Sequence, residues 1–225
     1  MPNKAQSLVI GISGGIDSSV SSTLSAMTGI KTIVLTMPIR QKDDQHDLSL
    51  KHQEWLKKKF KNVESHTINL DKLFDSFSSS LKEFDNEHGF ANSRARLRMT
   101  TLYQVAAANK GIVVGTGNKV EDFGVGFYTK YGDGGVDISP IADCNKTDVW
   151  ELGKELGILK EIIDAPPTDG LWDDGRTDEG QLGFKYEDLE DAMKNPNSPH
   201  RQEYEKIRKQ NLHKMEPIPV CKIPS

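Results

Sequence analysis

Residues 8–20, LVIGISGGIDSSV, carry the first arrangement able to do chemistry. Strand-type Leu8, Val9 and Ile10 run into Ser13-Gly14-Gly15, and a helix-compatible pattern begins at Ser18. A strand that breaks on glycines and re-enters as a helix turns backbone N–H groups, at the positive end of a helix dipole, toward whatever lies above the turn. That is an anion site, and phosphate is its commonest occupant. Asp17 stands in the same turn. A carboxylate beside bound phosphate is repelled unless a cation lies between them, so the loop implies Mg2+ together with nucleotide. No Gly-Lys-Ser/Thr follows, so this is not a Walker A loop. A tight strand-to-helix turn without a ligand would use the same glycines, so the rest of the chain must decide.

Two more segments fall at equivalent places. Residues 37–41 follow a second strand-like run, and residues 115–121 follow a fourth. All three then lie at carboxyl ends of strands, where open α/β sheets bind ligands near their switch point. Strand-like and helix-like segments alternate along the chain, which predicts a doubly wound parallel sheet in a Rossmann-like, three-layer α/β/α fold. The patterns place strands over 8–12, 31–37, 65–70 and 112–114, with a fifth over 136–141. Helices are expected over 18–27, 45–60, 71–84, 92–109 and 147–156, and a helical tail over 186–193 and 198–212. The apolar faces read as Val20, Leu24 and Met27 on the first helix and Leu73, Phe77 and Leu81 on the third. Residues 124–135 are glycine-dense, and so long a loop inside a compact domain is uncommon unless it is functional. Residues 164–180 are polar, contain Pro and Gly, and suit a lid that orders on ligand binding.

At 225 residues the chain can bury the core of one domain spanning residues 1–225, with no repeat or linker. A net charge of −4 argues against a nucleic-acid surface. No apolar run approaches the ~20 residues of a membrane span, and MPNKAQ leads directly into the first strand. The expectation is a cytoplasmic protein with neither nucleic acid nor membrane as partner. Cys144 and Cys221 are too few for a disulfide framework or a zinc site. The run Lys57-Lys58-Lys59 reads as a solvated face.

The segment GTGNKVEDFGVGFYTKYGDGGVDISPIADCNKTDV, residues 115–149, resembles the NAD+ synthetases, members of the N-type ATP pyrophosphatase (adenine nucleotide α-hydrolase-like) group. The same family pattern continues through SGGIDS, LTMPIRQ, NSRARLRM, PPTDGLWDDGRTDEGQLGFKYEDLED and His213-Lys214, so the resemblance covers nearly the whole chain in order. The resemblance implies ATP-dependent amidation of deamido-NAD+ by ammonia through an acyl-adenylate, giving NAD+, AMP and pyrophosphate. It implies Mg2+ as the metal and a homodimer whose two sites lie near the subunit interface. No glutaminase domain is recognised in this sequence, so the expected nitrogen source is free ammonia or a separate protein that supplies it.

Carried over position by position, the resemblance assigns Gly11, Ile12, Ser13, Gly14, Gly15, Ile16, Asp17 and Ser18 to the ATP phosphates. Thr116, Lys146 and Thr168 also match ATP contacts, and Asp17 and Glu121 match the Mg2+ ligands. Asp17, Glu121 and Lys146 together form the expected catalytic set. Arg96, Lys130, Asp137, His213 and Lys214 match deamido-NAD+ contacts. Arg94 and Arg98 splay away from Arg96 around a helix and read as helix-surface charge. Phe127, Tyr128 and Tyr131 suit either stacking on a base or packing beneath the loop. This chain reads GTGNKVE where many bacterial relatives read GTDHAAE, with an extra residue before Lys130, as in another branch of the family.

Two other readings share the glycine turn. A thiolating or GMP-forming ATP pyrophosphatase would need paired cysteines and a basic surface, or a different segment at 126–137. A non-catalytic nucleotide sensor would need no second carboxylate and neither Lys130 nor Lys146.

Overall fold

The computed structural model describes residues 4–40, 43–168 and 177–223. Four parallel strands, β1 (Ser7–Gly11), β2 (Lys31–Thr36), β3 (Val63–Thr67) and β4 (Gly111–Val113), form one sheet in the order β3-β2-β1-β4. The chain winds outward from β1 to β3, then returns to pair Ser7 with Gly111 on the opposite edge of β1. The direction of winding therefore reverses beside β1, and a crevice opens above the carboxyl ends of β1 and β4.

Side chains alternate across the sheet with period two and meet helices on both faces. Val9, Ile33 and Leu35 pack against Phe74 of α3 (Asp71–Ser80) and against Met99, Leu102 and Ala106 of α4 (Glu87–Ala108). Leu8, Ile10 and Val34 pack against Ala26 of α1 (Ile16–Met27) and Leu56 of α2 (Asp43–Lys59). Burying each such aliphatic side chain stabilises the sheet by about 1.5–3 kcal/mol. The three-layer arrangement expected from the alternation is present.

Helix α1 is serine-rich yet buried. Ser19, Thr23 and Ser25 donate their hydroxyls to the carbonyls of Gly15 (2.9 Å), Ser19 (2.7 Å) and Ser21 (2.8 Å). Small side chains satisfied within their own helix let α1 lie close to the sheet. Its outer edge differs from the expected face, because Met27 is 58% exposed. On α3 the buried residue is Phe74, while Leu73 is exposed, so that apolar stripe is rotated by one position.

The expected fifth strand over 136–141 does not form. Residue Ile138 meets Val114 in a single bridge. The cause lies in two neighbours: Asp137 Oδ2 takes the Val113 N–H at 2.8 Å, and Pro140 has no N–H to continue a ladder.

Beyond the sheet, α5 (Lys146–Glu155) and α6 (Lys160–Ile163) pack on Ile16 and Val20 of α1 through Val149 and Ile162. A π-helical turn, Lys119–Val125, buries Val120 and Val125 against α8 (Tyr186–Lys194) and α9 (Arg201–Met215). A short helix α7 (Asp178–Leu182) precedes them. Residues 169–176 of the expected lid, and Gln41 of the segment after β2, lie outside the described residues. Among the described residues no helix is long and apolar enough to cross a membrane.

Candidate functional site

Above β1 the chain turns through Ser13, Gly14 and Gly15. Gly14 has φ +94°, a conformation that glycine adopts without steric cost. Helix α1 starts at Gly15 without a side-chain cap, so its first-turn N–H groups remain for an anion. The loop is braced by hydroxyls: the Ser13 and Ser18 Oγ atoms lie 3.1 Å apart, and Ser13 N donates to Ser18 Oγ at 3.2 Å. Asp17 follows in the first turn of α1.

After β4, Asn118 starts the π-helical turn by accepting the N–H groups of Val120 (3.1 Å) and Glu121 (3.0 Å) on its Oδ1. Its Nδ2 donates to Asp17 Oδ1 at 3.0 Å. A π-helical turn is rare and often marks a functional site, and here it aims Glu121 at Asp17. Lys146, the first residue of α5, reaches both carboxylates from below, 2.6 Å from Asp17 Oδ2 and 2.9 Å from Glu121 Oε1. It is 1% exposed. The start of α5 is fixed by Glu190 of α8, which accepts from Thr147 N (3.0 Å) and Thr147 Oγ1 (2.8 Å). Tyr186 completes the cluster, donating its hydroxyl to Glu121 Oε1 at 2.5 Å.

The electrostatics follow from burial opposed by neighbours. Burial pushes Asp17 up, with Glu121 adding to the rise, and Lys146 opposes it without cancelling it. Burial also works to raise Glu121, but the Lys146 charge and the hydrogen bonds from Tyr186 and Lys146 outweigh it and hold the carboxyl below its ordinary value. Burial would lower Lys146, yet the two carboxylates more than reverse that and keep it cationic. Burial and the surrounding acids raise Tyr186, so its phenol stays protonated and remains a donor.

One cavity opens on the glycine turn and the two acids, while Asn118, Lys146 and Tyr186 stand behind its described lining. It is lined by Gly11, Ile12, Ser13, Asp17, Ser18, Thr116, Glu121 and Thr168, all expected site residues. Asp122, Asp133 and Asp178 line it too, so five acidic side chains face the cavity among its described lining residues, against Arg98. Bound phosphates in such surroundings require added positive charge. Asp17 and Glu121 could supply two ligands to a hard cation, and the Lys146 ammonium already lies between them as a cation would. Among the described residues no three His, Cys, Asp or Glu side chains gather into a metal cage. A two-carboxylate site completed by phosphate and water is the arrangement Mg2+ favours.

The remaining expected residues lie elsewhere. Ile16 is buried in the core against Val149 and Ile162, which leaves its backbone to the loop. Arg96 Nε donates to Lys130 O at 3.3 Å, and Lys130 Nζ donates to His213 O. Lys214 donates to Gly126 O (2.8 Å) and Tyr128 O (2.9 Å). These four gather at the glycine-dense loop, outside the cavity lining. Asp137 is engaged by Val113 N and by Tyr103 Oη at 3.1 Å. The reading of Arg94 and Arg98 as helix-surface charge is corrected: Arg94 is buried with its guanidinium 4.9 Å from the Phe74 ring centre, and Arg98 lines the cavity with Nε on Met37 O at 3.0 Å. Arg94 and Arg98 are four positions apart and share a face of α4 that turns inward, whereas Arg96 between them lies on the exposed face. The sequence reading missed Asn118 and Tyr186. Asn118 stands inside the motif GTGNKVE and Tyr186 inside the segment ending KYEDLED, but the spacing of neither marks it as a partner of Asp17 or Glu121.

The NAD synthase family model matches residues 2–223. The chain is 39% identical over 192 residues to the NH(3)-dependent NAD(+) synthetase of Carboxydothermus hydrogenoformans, covering 83% of this chain and 76% of that protein. Among solved structures it is similar to the NMN synthetase of Francisella tularensis, with a TM-score of 0.90 and 33% identity over 98% of this chain and 91% of that one. It also shares the fold of the NH3-dependent NAD synthetase of Campylobacter jejuni, with a TM-score of 0.78 and 24% identity over 98% and 92% of the two chains.

Proposed function

The chain belongs to the NAD synthase family, and from that premise we propose that it amidates deamido-NAD+ to NAD+ with ATP and ammonia, releasing AMP and pyrophosphate. The observation that carries this reading is the Asp17–Lys146–Glu121 cluster beneath an uncapped helix start, at the switch point of the sheet.

The chemistry divides into two displacements. An oxygen of the nicotinate carboxylate attacks the α-phosphorus of ATP, and pyrophosphate leaves. Ammonia then attacks the acyl carbon of the resulting adenylate, AMP leaves, and a proton passes to solvent or a carboxylate. The first step brings two anions together, so the site must supply positive charge where negative charge develops. Backbone N–H groups at Gly14–Ser18 and the hydroxyls of Ser13 and Ser18 would hold the phosphates, and Lys146 would neutralise charge on the departing pyrophosphate. Asp17 and Glu121 would hold Mg2+, which when bound supplies Lewis-acid neutralisation of the phosphates. Thr116 and Thr168 would contact ATP. Arg96, Lys130, Asp137, His213 and Lys214 would receive deamido-NAD+, with Arg96, Lys130 and Lys214 acting as the cationic edge of the glycine-dense loop.

A homodimer, a single NAD synthetase domain and a cytoplasmic location complete the reading, supported by the family resemblance. Purified protein with ATP, Mg2+, NH4Cl and deamido-NAD+ should yield AMP and NAD+ in equal amounts. ADP as product would overturn the adenylation step, and a requirement for glutamine and a partner would overturn free ammonia as donor.

The likeness to an NMN synthetase favours a second reading, which concerns only the length of the acceptor. The same two displacements on nicotinate mononucleotide would give NMN. Comparing kcat/KM for the two acceptors decides between the readings.

A further inference from the structure

Tyr186 is 1% exposed and sits at the first position of α8, between the acids of the cavity floor and the aromatic core behind them. Its ring meets Trp150 edge-on at 5.8 Å, and the Lys146 ammonium lies 4.9 Å from the ring centre. Its hydroxyl is 2.5 Å from Glu121 Oε1 and 3.4 Å from Asp178 Oδ2. Both Tyr186 and Lys146 therefore donate to the same oxygen of Glu121.

The two donors differ in what happens when ligands enter. The ammonium occupies the space between Asp17 and Glu121, and a divalent cation held by both carboxylates competes for that space. The phenol approaches Glu121 from the core, held by its ring packing on Trp150, and does not occupy the space between the two acids. A carboxylate on two flexible methylenes needs such a fixed outer partner to present its oxygens at a constant angle.

We propose that Tyr186 is a positioning residue for the divalent-cation site, holding Glu121 in the orientation in which it meets the cation together with Asp17. The proposal rests on the reading of Asp17 and Glu121 as the cation ligands. Tyr186 acts through Glu121 and stands outside the described lining of the cavity. Its contribution is to keep the carboxylate in place at the moment when Lys146 gives way.

Tyr186→Phe tests this, because phenylalanine keeps the ring against Trp150 and under Lys146 and removes only the hydroxyl. The direct readout is Mn2+ binding to the full-length protein, followed by the electron paramagnetic resonance of free Mn2+ with a non-hydrolysable ATP analogue present. The expected result is binding weakened about 10- to 100-fold, the range for loss of an outer partner of a metal ligand. The Mg2+ concentration for half-maximal activity should rise in parallel, with kcat recovered at saturating Mg2+. Wild-type Mn2+ affinity in a variant whose unfolding temperature has fallen would overturn the proposal and leave Tyr186 a packing residue. Glu121→Gln separates the two levels of argument. If it binds Mn2+ as the wild type does, the cation reading itself is wrong. If Glu121→Gln loses binding and Tyr186→Phe keeps it, only the role of Tyr186 fails.

Discussion

Asn118 joins Asp17 across 101 positions of sequence, its side-chain amide donating to the carboxylate at 3.0 Å. Because its carbonyl end also accepts the Glu121 N–H, one buried amide sets the spacing of both acids. Asn118→Ala should therefore lower kcat/KM by about 10- to 100-fold. It should also destabilise the fold by about 1–3 kcal/mol through the unpaired N–H groups of the π-helical turn. Steady-state assays of AMP release and thermal unfolding check the two parts. Unchanged kcat/KM with lowered stability would confine Asn118 to holding the turn.

Lys146 balances two buried carboxylates, so removing it leaves uncompensated charge. Lys146→Met should destabilise the ligand-free protein by about 3–5 kcal/mol, the usual penalty for breaking a buried pair. Added Mg2+ should then raise the unfolding temperature of the variant more than that of the wild type, because the cation fills the space the ammonium left. Activity should stay low, since on the proposed reading the charge that neutralises the pyrophosphate is gone. Equal Mg2+ responses in the two proteins would argue against a shared place for ammonium and metal.

Lys214 holds two carbonyls of the glycine-dense loop, and Asn211 and Arg208 hold others at Val125, Phe123 and Gly124. Burial lowers Lys214 from its usual value, against the pull of Asp133 and Asp122. Lys214→Met should loosen the loop and raise KM for the acceptor by about tenfold, a loss of about 1.4 kcal/mol, with a smaller change in KM for ATP. Faster amide exchange over residues 126–131 is the accompanying sign. Exchange and KM at wild-type levels would free the lysine of both tasks.

His52 is fully buried between α1 and α2, its Nε2 3.0 Å from Ser22 Oγ and its ring stacked on Trp55. Burial pushes its pKa down to about 4. The unfolded imidazole titrates near 6.5, so the unfolded chain binds the proton first as pH falls. Stability from this group is complete above about pH 6.5 and is lost between there and pH 4, by up to about 3 kcal/mol. His52→Gln should flatten that acid limb in urea-unfolding midpoints measured across the window. A limb of unchanged slope would assign it to other groups.

The sheet and its two helical layers were legible because a buried parallel strand announces itself as a short apolar run, and Val9, Ile33 and Val113 do so. The site above β1 and β4 was legible for the same reason that glycine is informative: Gly14 marks a backbone conformation, and Asp17 beside it marks charge. What stayed hidden depends on distant partners. The stretch after Gly135 looks like a strand until Asp137 turns back on Val113. Arg98 looks like surface charge until the cavity is seen beside α4. Tyr186 belongs to the site because α8 packs on α5 through Glu190, and no spacing in the sequence encodes that.

The clasp of α9 on the glycine-dense loop also has a consequence for the order in which the molecule is made. The sheet, the phosphate turn and Glu121 are synthesised well before Arg208, Asn211 and Lys214, whose side chains fix the loop. A nascent chain can thus bury its sheet core while the loop beside the cavity is still untied. If that loop receives the acceptor as proposed, turnover waits for α9, and a nascent chain that has already folded its glycine turn lacks a complete site.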